Sequence, residues 1–382
     1  MLEIIESRVN LAFPVGQHRH CLLAQIRDHL RRSEVGYTVA DPDRQWRLVK
    51  SVLDAVADNE ASFRKLDFLV FPEGCLPLAH LDDMLRALDA LRPNAVAMFG
   101  LEHIPLRAYR ALLARHHNDN ATAIGLLERD TGAPDAGGKP VNVCCIAVKE
   151  NDGRLRVFLE AKGHPFHGEE FLDKDRDLYQ GRHCYLFRSP ASFNFMVLIC
   201  LDYLYRDLYS SNIRRIVDHA NQMYFTSRQA LDALFVVQCN PKPEHQAYRD
   251  ILSGFYGEYL EDTPGVRDTV TVFGNCSDES VVEGSGKRSR FGASSVIIGR
   301  RHKLDRVQMS EFSADDFHGA PLCRLRFGTA TRLYYFNLPL HHELDPRSYR
   351  IPLKVHAILR RSGDGWLKLS GEEILDGLAP DE

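Results

Sequence analysis

The sequence predicts an α/β protein in which helices cover sheets, and three observations predict it. Short apolar runs bounded by turn residues recur along the chain. Stripes of apolar residues at helical spacing lie between several of them. Hydrophobic residues make up 44% against 26% charged, the balance of a chain able to bury a large core.

The runs at 9–13, 68–71, 95–99, 141–148, 155–159, 193–200, 234–238, 270–273, 294–298, 322–327 and 333–338 read as strands, several of them buried on both faces. Asp41 and Pro42 form an N-cap and first-turn pair, and Trp46, Val49, Leu53 and Val56 follow at spacings of three and four, so a helix begins there. A second helix carries Leu81, Met84, Leu85, Leu88 and Leu91 and stops before Pro93; a third is expected over 244–260. Between 105 and 140 the chain turns rich in Arg, His, Asn and Gly, which predicts a long loop. Another loop is expected over 281–290. Its Gly286-Lys287 pair lacks both the leading glycine spacing and the hydroxyl residue of a phosphate loop, so that function is rejected.

Charge and cysteine usage exclude several classes. With 48 basic and 52 acidic residues, nothing draws the whole chain to nucleic acid or an anionic membrane, and Arg288 with Arg290 or Arg300 with Arg301 read as solvated faces. The first residues are acidic where a signal peptide is basic, and no apolar run approaches a membrane span, so a cytoplasmic protein is expected. Nine cysteines without a C-x-x-C pair argue against a disulfide framework or a structural zinc site. Most are expected to be small buried hydrophobes, with one reactive.

Three strand ends carry residues able to do chemistry. In LDFLVFPEGC, Pro72 ends a ladder and Gly74 frees the turn, leaving Glu73 at the strand end as a candidate general base; a Glu before a Gly is more often an exposed loop residue. Lys162 stands where RLRVFLEAK runs into a Gly and Pro turn, a position more often merely solvated. In FNFMVLICLD, Cys200 ends a strand and Asp202 reads as the N-cap of a helix starting at Tyr203, whose partial positive charge would lower the thiol's pKa; the competing reading is a core cysteine.

Rival groups are weaker. Cys75 follows Glu73 by two residues, with nothing downstream to orient it. His164 and His167 with Glu169 or Glu170 lack a third well-spaced metal ligand. Cys144 and Cys145, as strand neighbours, point to opposite faces. The pairs His116 with His117 and His341 with His342 read as surface residues.

Taken in order, the strand-end FPE, the later strand-end Lys followed by a His-Pro-Phe and Gly-Glu turn, and ICxD resemble the carbon-nitrogen hydrolase, or nitrilase, superfamily. VVQCNPKP, TVFGNCSDE, RFGASSVIIG and RLYYFNLPL are similar to its later strands, so the resemblance covers roughly residues 60–340. It implies a four-layer α-β-β-α sandwich, a single domain over 41–340 with loop insertions near 105–140 and 211–230. Residues 1–40 form an N-terminal segment in which SRVNLAF and CLLAQI are both candidates for the first strand, and 341–382 a C-terminal extension.

The resemblance also implies the roles: Glu73 as general base, Lys162 as electrostatic stabiliser, Cys200 as nucleophile, with help from the Leu201 N–H and from a second glutamate, Glu170 or Glu169. It implies hydrolysis of a small linear amide, less so of a nitrile, through a thioester. No cofactor, metal, nucleic acid or membrane is expected, and a homodimer or higher homo-oligomer is. Leu201 stands where an aromatic is common. Two alternatives remain open: a sandwich serving as a binding or assembly module in a multiprotein system, and acyl transfer from the same thioester to an amine.

Overall fold

The structure, a computed structural model, describes residues 2–13, 19–58, 63, 65–131, 138–165, 178–189, 193–206, 211–243, 257, 262–283, 291–299, 302, 313–316, 322–341, 350–351 and 353–370. Two eight-stranded sheets dominate it. The first runs β1 (Glu3–Arg8), β11 (His183–Arg188), β12 (Phe195–Ile199), β13 (Ala233–Gln238), β14 (Val270–Asn275), β16 (Ser295–Gly299), β18 (Leu322–Arg326), β17 (Ser313–Asp316). The second runs β10 (Leu155–Ala161), β9 (Val143–Lys149), β6 (Ala95–Gly100), β5 (Leu66–Val70), β2 (Arg19–Gln25), β19 (Arg332–Leu338), β22 (Lys354–Ser362), β23 (Gly365–Lys368). Three small sheets complete the set: β15 (Val281–Val282) with β3 (His29–Ser33) and β4 (Gly36–Val39), β20 (Leu340–His341) with β21 (Arg350–Ile351), and β7 (Ile104–Pro105) with β8 (Pro140–Val141).

The two large sheets pack face to face, and side-chain alternation assigns their faces. Phe195, Val197 and Ile199 of β12 and Phe235 and Val237 of β13 belong to a core shared with Phe68 and Val70 of β5. The Phe68 and Phe235 rings lie 4.9 Å apart across the seam. The intervening residues Met196, Leu198, Leu234 and Val236 point the other way. There they meet Ile213, Ile216, Val217, Ala220 and Met223 of a helix, α5 (Asn212–Ser227). On the second sheet, α1 (Pro42–Ala57) and α2 (Leu81–Asp89) contribute Leu48, Val49, Val52, Met84 and Leu88 to the core, and Trp366 of β23 donates its indole N–H to Ser51 of α1. The order is helix, sheet, sheet, helix, as the resemblance implies.

Several local expectations need correction. Residues 105–140, expected as loop, hold α3 (Leu106–Arg115) and α4 (His117–Thr131). Leu106, Tyr109, Leu112 and Leu113 give α3 a buried stripe beneath its charged residues. Residues 211–230, read as an insertion, supply α5, the crossover that the parallel pair β12 and β13 requires. The 9–13 run is not a strand, although Val9, Leu11 and Phe13 are buried in alternation. Its N–H groups are taken by the Arg188 carbonyl, the Glu150 carboxylate and the Asn94 side chain in place of a ladder. Of the two first-strand candidates, SRVNLAF contributes only Ser7 and Arg8 to the end of β1, which edges one sheet, while CLLAQI is a strand through Gln25, in β2 inside the other. The third helix expected at 244–260 lies outside the described residues, apart from 257. Of the 281–290 loop, 281–282 form β15 beside β3. Among the described residues no helix is long and apolar enough to cross a membrane.

His183, at the start of β11, is buried with its Nε2–H donating to the Leu159 carbonyl at 3.2 Å. Burial pushes its pKa down to about 4, so it enters the fold neutral. The unfolded chain therefore binds more protons than the native one below about 6.5, and native stability falls as pH drops from there through about 4. Urea denaturation across this range is expected to show a smaller acid loss for His183→Gln than for the wild type. Identical pH dependence of the two would contradict the assignment.

Candidate active site

The carboxyl ends of several strands converge on one rim. Strands β5 and β6 run parallel, as do β12, β13 and β14. β10, antiparallel to β9, which is antiparallel to β6, points its end the same way as β6. In open α/β sheets, ends of this kind are where ligands bind.

Glu73 follows β5 on a turn in which Gly74 takes φ +77°, a left-handed conformation that suits a residue without Cβ. Gly100, at the end of β6, lies so close that a Cβ there would overlap the backbone of Glu73 and Gly74. Glu73 is 5% exposed. Its Oε1 accepts from Lys162 Nζ at 2.8 Å and from Asn142 Nδ2 at 2.7 Å, and its Oε2 accepts the Cys239 N–H at 2.8 Å. A carboxylate offers about four acceptor positions. Among the described residues three donors occupy it, and the remaining position is on Oε2, the oxygen facing the end of β13.

Lys162, one residue beyond β10, is fully buried. Its N–H donates to the Asn142 carbonyl, and its own carbonyl accepts from Gly181. Asn142 therefore holds both members of the ion pair, Glu73 through its side chain and Lys162 through its backbone. Two residues upstream, the buried Glu160 accepts the Tyr185 N–H, and burial pushes its carboxyl well above the usual range.

Cys200 opens a short 3₁₀ turn, 200–203, directly after β12. Ile199 pairs with Val237, so the strand register carries Cys200 level with Gln238, one residue short of the Cys239 N–H that binds Glu73. Adjacent strands lie about 4.8 Å apart. Cys200 has φ +45°, a left-handed conformation that is strained for a residue with a side chain, and it is partly exposed.

Asp202 does not cap a helix at Tyr203; no α-helix follows the turn before α5 among the described residues. Its carboxylate accepts the N–H groups of Gly163 and His164, at 3.0 Å and 2.8 Å, and the His164 ring through Nδ1. The lysine turn and the cysteine turn are thereby tied together. Asn212, the first residue of α5, closes the tie by donating to the Asp202 carbonyl. His164 stacks on Tyr205 at 3.5 Å.

Sequence reasoning placed Glu73, Lys162 and Cys200 on strand ends, and the fold brings those ends to one rim. Leu201, also singled out, is half-buried in the cysteine turn, and its carbonyl accepts from Leu204 and Tyr205. Glu169, Glu170 and His167 lie outside the described residues. Cys75 is buried, its thiol donating to the Gly100 carbonyl at 3.6 Å, and burial pushes its pKa well up, which fits a packing role. Cys144 and Cys145 are buried in β9. Asn142 was missed. Its only signal was a lone amide inside the apolar stretch PVNVCCIAV.

No family model matches the chain, and no curated protein does. Among solved structures it is similar to the amidase from Nesterenkonia sp. AN1, of the nitrilase superfamily, at 12% identity over 82% of this chain and 93% of that one, with a TM-score of 0.45. It is also similar to Saccharomyces cerevisiae Nit3, a member of branch 10 of the nitrilase superfamily, at 13% identity over 81% and 90%, TM-score 0.42. The chain resembles nitrilase-superfamily structures. A third likeness is to the glutamine-dependent NAD+ synthetase from Acinetobacter baumannii, at 16% identity over 89% of this chain, TM-score 0.44; the chain spans about half of that protein's length, 47%. At these identities and scores the likenesses assign no role to any side chain.

The close approach of Gly100 to the Glu73 turn gives a test of how that carboxylate is positioned. Gly100→Ala is expected to destabilise the protein by about 1–3 kcal/mol, the usual range for overpacking a filled core. Denaturant unfolding measures this, and an unchanged midpoint would show that the turn has room to spare.

Proposed function

We propose that the chain is a thiol-dependent carbon-nitrogen hydrolase of nitrilase type that cleaves a small linear amide through a thioester on Cys200. The observation that carries this reading is the buried Glu73, paired with Lys162 and bound by the Cys239 N–H beside the end of the Cys200 strand. The ordered sequence motifs around the same three residues support it.

In this mechanism Cys200 gives its thiol proton to Glu73, and Sγ attacks the amide carbonyl carbon. The developing oxyanion is stabilised by Lys162 and the Leu201 N–H. As the carbon-nitrogen bond breaks, Glu73 passes the proton to the leaving amine, and the acyl group stays on sulfur. Water then gives a proton to Glu73 and adds to the thioester. When the carbon-sulfur bond breaks, Glu73 returns that proton to the thiolate and the carboxylic acid departs. Lys162 balances the charge of Glu73 in the carboxylate stages of this cycle, and Asn142 keeps the two in register. Asp202 holds the cysteine turn against the lysine turn, a positioning role.

A panel of short aliphatic amides and nitriles assayed for ammonia release, with the acid product identified, tests the activity. Cys200→Ala, Glu73→Gln and Lys162→Met are each expected to lower turnover by about a thousandfold or more, as for members of one catalytic unit. A cysteine-directed electrophile is expected to modify Cys200 first and to do so more slowly in Glu73→Gln. Modification elsewhere with Cys200 untouched, or full activity in Cys200→Ala, would overturn the proposal.

A further inference from the structure

Next to the Glu73 carboxylate, three side chains from distant parts of the sequence meet in a cluster that the mechanism does not use. Asp28 precedes β3, Cys239 follows β13, and Cys276 follows β14. Their potential ligand atoms all lie within 4.8 Å of one another. The register Gln238 with Asn275 sets the two cysteines side by side, with the sulfurs 3.4 Å apart. Asp28 is 1% exposed and fixed at both ends of its peptide: its N–H donates to Ser280 Oγ, and its carbonyl accepts from Val281. Gln45 donates to Oδ1, but the buried Oδ2 has no hydrogen-bond partner among the described residues. A buried carboxylate oxygen without a donor is costly, and a cation removes that cost.

We propose that Asp28, Cys239 and Cys276 form a binding site for one thiophilic divalent cation, of which Zn2+ is the best chemical match. Two thiolates and a carboxylate are ligands suited to a borderline-soft ion, leaving a fourth tetrahedral position for water. The spacing separates this from a disulfide. Zinc-sulfur bonds of about 2.3 Å at tetrahedral angles set sulfurs about 3.8 Å apart, close to the observed 3.4 Å, whereas a disulfide needs about 2.05 Å. Cys239 is half-buried, the most exposed of the three.

Charge follows the same logic. Burial, with the Glu73 charge adding to it, pushes the Asp28 carboxyl well up; burial raises the Cys276 thiol; its hydrogen bond with Cys276 and burial raise the Cys239 thiol. Two thiolates, a carboxylate and one divalent ion leave a net charge of minus one, and binding through deprotonated ligands releases protons. The ion would bind the side chain of the residue whose N–H holds Glu73, and would tie the ends of β13 and β14 to Asp28.

The full-length protein, reduced and stripped of metal, should be titrated with Zn2+ alone against a chromophoric chelator, and separately with Co2+. The expected result is one ion per chain and a thiolate-to-cobalt charge-transfer band. Cys276→Ser and Asp28→Asn should each weaken binding at least tenfold, while Cys200→Ala binds as the wild type does. Zn2+ should also protect Cys239 of the wild-type chain from alkylation while leaving Cys200 reactive, a readout that holds even if a variant fails to fold. No uptake by the wild type, loss of uptake in Cys200→Ala, or a Cys239–Cys276 disulfide forming in air despite added Zn2+ would overturn the site.

Discussion

The ion pair between Glu73 and Lys162 is the constraint around which the rest of the site is arranged. Both side chains are removed from water, Lys162 completely. Such a pair contributes little net stability, because desolvation offsets the attraction, yet losing one member leaves an unpaired buried charge costing about 3–5 kcal/mol. The pair therefore acts as a lock on position. Asn142 spans it, and the Cys239 N–H fixes the other carboxylate oxygen, so one side chain is held by the residues just after β10 and β13 and the residue between β8 and β9.

The sandwich makes that convergence possible. Each large sheet supplies part of the rim: the second sheet brings Glu73 and Lys162, and the first brings the ends of β12, β13 and β14. Alternation along β12 and β13 sends one set of side chains into the seam and the other set under α5. A one-residue slip would exchange those sets, so burial on both faces fixes the register that sets Cys200 beside the Glu73 donors. Asp202 then joins the two turns across the rim, and α5 holds Asp202 through Asn212.

What was legible in the sequence was local. Apolar runs ending at Glu73, Lys162 and Cys200 marked their strands, and Asp41 with Pro42 marked α1, whose N-cap bond from the Arg44 N–H to Asp41 is present. Misreadings came where a distant group outcompeted the local pattern. Asp202 looks like an N-cap until the N–H groups of Gly163 and His164, 39 and 38 residues away, claim its carboxylate. The 9–13 run alternates correctly for burial, but side chains of Glu150 and Asn94 replace its ladder. In α3, the apolar stripe was readable and was hidden by the arginines around it. Asn142 and the trio of Asp28, Cys239 and Cys276 had no local signature, because only the sheet order brings them together.

A double-mutant cycle on the central pair tests this account most directly, with unfolding free energies measured for Glu73→Gln, Lys162→Met and the two combined. Each single substitution is predicted to cost about 3–5 kcal/mol, and the pair together less than the sum by more than about 1 kcal/mol. Costs that add to within about 0.5 kcal/mol would contradict it, showing that the acid and the amine do not hold each other in place.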